Sequence, residues 1–72
     1  MSIDTIAKEL RDACERAAKG ERVVSIYLFG IRNADRLRGQ NLREIANRAG
    51  ISEAYGTELA KAVRLAEHVT LR

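Results

Sequence analysis

Seventy-two residues make one domain, and a chain this short buries too small a share of its surface to be strongly stable unaided. One cysteine and one histidine exclude an internal disulfide and a structural zinc, so the expected support is a second copy of the chain. An apolar fraction of 46%, the absence of proline and only three aromatics (Tyr27, Phe29, Tyr55) point to an all-α fold, while a net charge of +3 permits an anionic partner without demanding one.

The first segment places Ile3, Ile6, Ala7, Leu10, Ala13, Cys14, Ala17 and Ala18 at helical spacing over four turns. Ser2 is the expected N-cap, and Lys19 followed by Gly20 is the stop signal. Residues 1–19 carry four basic and four acidic side chains, so a packing or dimerisation helix is expected over residues 1–20, turned away from phosphates. Cys14 lies on the apolar face and reads as a small buried residue. The N-terminus lacks the basic-then-apolar layout of a signal peptide, and the longest apolar run is too short to span a membrane. A cytoplasmic location is the corresponding expectation, and a lone thiol fits it.

Residues 21–39 read in two ways. As a helix, Val23, Tyr27, Ile31, Ala34 and Leu37 line one face, with Val24 and Leu28 beside it and Gly39 closing the end. As a strand, residues 23–29 are rich in β-formers and Gly30 ends them. Periodicity does not separate a buried helix from a strand here, and helix is the preferred reading. Gly30 costs a helix about 1 kcal/mol relative to Ala, which suggests that another backbone approaches closely there. Four basic and two acidic residues over 20–39 hold most of the chain's excess positive charge.

Residues 41–64, NLREIANRAGISEAYGTELAKAVR, read as two short helices joined at Ala49, Gly50 and Ile51. Asn41 and Glu44 form a variant capping box. Leu42, Ile45, Ala46 and Ala49 point inward, and Gly50 takes a left-handed conformation that disfavours a Cβ. Ile51 fills the wedge between the helices. Ser52 is the expected cap of the second helix, with Gly56, Leu59, Ala60 and Val63 inward and fraying near His68. Residues 69–71 read as extended or frayed. The whole is a bundle of about four helices, with 41–68 as its characteristic motif.

Across residues 42–59 the sequence resembles the helix-turn-helix family of bacterial and phage DNA-binding proteins, through Ile45, Ala46, Ala49, Gly50, Ile51 and Leu59. Gly56 departs from the pattern, since the family usually carries Val or Ile there. The runs LFGIRNAD and AGISEAYGTELAKAVRLAEHV also look like small bacterial helix-turn-helix-like proteins over residues 23–69. The resemblance implies that the second helix enters the major groove of double-stranded DNA. Ser52, Glu53, Tyr55, Thr57, Lys61 and Arg64 would then face bases or phosphates, and Arg32, Arg36, Arg38, Arg43 and Arg48 would form a phosphate-contacting rim. Glu53 and Glu58 repel phosphates, although a carboxylate can accept from cytosine N4. These features predict a dimeric transcriptional regulator of repressor type, with half-sites about one helical turn apart. The alternative is a helical module that binds another protein. No catalytic set can be assembled from one cysteine and one histidine, and neither a cofactor nor a metal is expected.

Overall fold

A computed structural model describes residues 3–69. Among them five helices follow in order: α1 (Ile3–Arg16), α2 (Arg22–Arg32), α3 (Ala34–Leu37), α4 (Leu42–Arg48) and α5 (Tyr55–Leu65). The described residues contain no strand. The Ser2 cap and the expectation for residues 70 and 71 lie outside them.

Four of the helices close a ring. α1 packs on α2 and α4, and α5 packs on the same two, so α1 lies across from α5 and α2 across from α4. The short α3 links α2 to α5. Ile6 and Leu10 of α1, Ile26 of α2, Ile45 of α4 and Leu59 of α5 meet in the middle, each essentially removed from solvent. Burial of such side chains contributes roughly 1.5–3 kcal/mol each before conformational entropy is subtracted.

In α1 the expected stripe is realised at Ile6, Ala7, Leu10 and Cys14, while Ala18 is exposed beyond the helix. The helix stops at Arg16, ahead of the expected stop, and Gly20 reverses the chain with φ +82. Burial pushes the Cys14 thiol above its ordinary pKa, as suits an inert core group.

The segment 21–39 is helical, as the preferred reading has it, and departs from expectation in two ways. The strand alternative over 23–29 is overturned, since these residues lie within α2. The single helix to Gly39 is broken at Asn33, whose side-chain amide donates to the Phe29 carbonyl at 2.9 Å and whose Oδ1 accepts from Arg36 at 2.8 Å. The Asn33 backbone amide donates to the same Phe29 carbonyl at 3.0 Å, and α2 ends and α3 begins at this residue. The second difference is the buried face. Ile26, Phe29 and Gly30 point inward, whereas Val23 and Val24 are 44% and 50% exposed. Gly30 decides this orientation: a Cβ there would lie 2.5 Å from Ala62 Cβ of α5. The two helices approach so closely that only the glycine-bearing face can turn inward.

The 41–64 region folds as the pattern requires, with a later start to α5. Asn41 Oδ1 accepts the Glu44 amide at 3.1 Å, capping α4. The Glu44 carboxylate, expected to reach back, instead accepts from Arg48 at 3.2 Å. At the far end the Gly50 amide donates to Asn47 O and the Ile51 amide to Ala46 O, with Gly50 at φ +81. These two bonds are a Schellman closure, which satisfies carbonyls that the helix end leaves open. Ile51 packs against the core from the turn. Ser52 does not cap α5; its Oγ accepts from the Ala54 amide at 3.2 Å, and Ala54 is the residue that precedes the helix. Bonds from Tyr55 to Ser52 and from Gly56 to Glu53 form a tight turn first. Gly56, Leu59 and Ala62 are the buried residues of α5, and Ala60, expected inward, is exposed. A Cβ at Gly56 would meet Arg43 Cα at 2.9 Å, so α4 and α5 cross at this point.

Candidate nucleic-acid interface

The turn at Gly50 sets α4 across α5 and leaves one side of α5 in solvent. Thr57, Ala60, Lys61 and Arg64 occupy that side. Two shallow grooves flank it. One runs between α5 and residues 38–42, with Arg38 and Arg64 on its walls. The other is polar, lined by Asn41, Arg43, Asn47 and Glu53 beside α4 and the turn. Asn41 and Asn47, together with Gln40 in the first groove, join the surface without having been expected there. The available signal was a cluster of amides within eight residues.

The expected arginine rim divides. Arg38 and Arg43 belong to the α4–α5 surface. Arg38 pairs with Asp35 at 2.7 Å, and Arg43, with a 76% exposed side chain, reaches Glu53 at 3.2 Å. Arg36 turns to α1, where both its terminal nitrogens donate to Glu9 at 2.8 Å. Arg48 also turns to α1, donating to Asp4 at 2.9 Å as well as to Glu44. Arg32 lines a groove between α1 and α2 with Glu9, Asp12 and Arg16. Arg36 and Arg48 thus tie α1 to the rest of the fold.

The surface of α5 is electrostatically quieter than its sequence suggests. The Tyr27 hydroxyl of α2 donates to the Glu58 carboxylate, which also lies 3.8 Å from Lys61. That bond holds the Tyr27 hydroxyl above its ordinary pKa. Glu53 is partnered by Arg43. Both carboxylates that would oppose a phosphate are therefore engaged. Tyr55 is half-buried and packs on the core, which leaves Ser52, Glu53, Thr57, Lys61 and Arg64 as the exposed members of the expected reading set.

The clamp on Arg36 makes a pH prediction. The guanidinium bond holds the Glu9 carboxyl below its ordinary pKa. A depressed carboxylate pKa contributes stability that is present above the unfolded-state value and fades as pH falls through the folded value. Arg36→Gln is expected to raise the Glu9 pKa toward an ordinary glutamate and to flatten the acid limb of stability against pH. Carboxyl NMR titration of both proteins checks this, and an unmoved Glu9 pKa would refute it.

A left-handed glycine turn, a small residue at Ala46 and an exposed second helix define a helix-turn-helix protein. The sequence matches the HTH-like domain family over residues 2–72, and the chain belongs to that family. No curated protein and no solved structure matches the sequence. Membership points to DNA binding in general terms. No helix among the described residues is long and apolar enough to cross a membrane.

Proposed function

We propose that this chain binds double-stranded DNA as a small dimeric transcriptional regulator, with α5 presented to the major groove. The carrying observation is the Gly50 turn, which crosses α4 over α5 and leaves Thr57, Lys61 and Arg64 in solvent on one side. α5 has 11 residues and is about 16 Å long, enough to lie in a groove about 12 Å wide. Thr57 and Lys61 face the bases, Ser52 and Glu53 stand at the leading turn, and Arg38, Arg43 and Arg64 grip phosphates from the two sides. Arg32, Arg36, Arg48 and Tyr55 serve the fold and its assembly.

The test is a selection over random duplex DNA at low salt, followed by titration of the enriched sequence across salt concentrations. The expected result is enrichment of a defined site. Arg43→Ala with Arg64→Ala should weaken binding and reduce the log–log salt slope by roughly 0.9 for each phosphate that the protein no longer neutralises. Absence of any enriched duplex, or an unchanged slope in the double variant, would overturn the assignment.

A further inference from the structure

α2 is apolar on both sides. Its inward face carries Ile26, Phe29 and Gly30. Its outward face carries Val23, Val24, Tyr27, Leu28 and Ile31, which fall within an arc of about 140° at 100° per residue. No charged residue interrupts that arc. Val23 and Val24 are about half exposed, and the other three are partly exposed. A contiguous exposed apolar face rimmed by polar residues ordinarily marks an interaction site, so this face calls for a cover. Beside it, the groove of about 500 Å³ between α1 and α2 adds Ala13, Ala17 and Leu28, with Glu9, Asp12, Arg16 and Arg32 on its walls.

The charges at the border of the face indicate the cover. Glu21, just before α2, and Arg32, at its last turn, lie eleven residues apart along the same edge of the helix. Both are exposed, and neither makes an ion pair among the described residues. Arg22 points elsewhere, into a groove with Cys14 and Ile51. A second copy laid parallel about a twofold axis would carry its Glu21 and Arg32 to the opposite edge of the contact and leave all four charges unpaired. Laid antiparallel about a twofold axis, it sets Glu21 against Arg32 at both ends and Tyr27 near the axis.

We propose that the outward face of α2 is a self-association surface, on which a second copy of the chain docks with its α2 antiparallel. The valines, Leu28 and Ile31 form the apolar centre, and two Glu21–Arg32 pairs close the rim and fix the direction. An isolated helix pair about 16 Å long covers less than the roughly 800 Å² per partner of a stable interface, so the adjoining groove on α1 takes part. The association stands independently of DNA binding.

Sedimentation equilibrium on the full chain tests it, with circular dichroism to establish folding. The wild type is expected to be a dimer. Val24→Glu buries an unpaired carboxylate at the interface and should weaken the dimer roughly tenfold or more while helicity is kept. Glu21→Arg and Arg32→Glu touch only exposed positions and should each weaken it by a few-fold, whereas the doubly reversed protein should return toward wild-type affinity. A monomeric wild type at submillimolar concentration would overturn the surface, as would a dimer indifferent to Val24→Glu. Charge reversals whose effects simply add would overturn the antiparallel direction.

Discussion

Gly30→Ala is expected to lower stability by about 2 kcal/mol and the melting temperature by about 10 °C. In an unconstrained helix the change would stabilise by about 1 kcal/mol, because alanine is the better helix former. Here the added methyl would stand 2.5 Å from Ala62 Cβ. That neighbour is itself a buried methyl fixed directly to the α5 backbone, so it has no rotamer into which to retreat. The helices must separate, and the packing of Ile26 and Leu59 in the core loosens with them. The double variant with Ala62→Gly removes the opposing atom and should recover most of the deficit. Thermal unfolding followed by circular dichroism reads both. A double variant no more stable than Gly30→Ala alone would show that another cause is at work.

Gly56→Val should cost more, about 3 kcal/mol. The nearest atoms to a Cβ at this position include Arg43 Cα and N, at 2.9 and 3.0 Å. Main chain cannot rotate aside as a side chain can, so α4 itself has to move. The substitution brings the sequence closer to the helix-turn-helix pattern and, in this chain, should make the protein worse. For a small domain whose total stability is of the order of 5 kcal/mol, that is a large fraction. A urea midpoint unchanged from wild type would show that α4 and α5 can cross without the glycine.

Much of the fold is legible from local signals because it is built from local bonds. The Asn41 cap and the Gly50 turn depend on residues within a few positions of one another, and both form as read. Gly30 and Gly56 are likewise readable as places of close approach, although not what approaches them. The inward face of α2 is not readable: its apolar residues surround the helix, and the choice falls to Ala62, on a helix that comes much later in the chain. The break at Asn33 coincides with its side-chain amide bonding back to Phe29, a local interaction that asparagine offers but does not guarantee. α5 starts later than its sequence suggests because Ser52 caps the preceding turn instead. The interface follows the same rule. Arginines that look like one basic cluster are separated by partners 27 and 44 positions away, Glu9 and Asp4, and neither pairing has a sequence signature.

The order of helices around the ring has a consequence for how two copies would present themselves. α5 lies beside α2, on one flank of its outward face, while α1 lies on the other. An axis that turns α2 end for end keeps each flank on its own side, so the pair would show both α5 helices to one half-space and both α1 helices to the opposite one. Turning the copies about the length of α2 would scatter the two α5 helices to opposite poles. The edge charges that select direction therefore also select polarity for the particle as a whole: one side carries two Thr57–Lys61–Arg64 surfaces, and the other carries the two α1 helices, each with four acidic side chains against three basic.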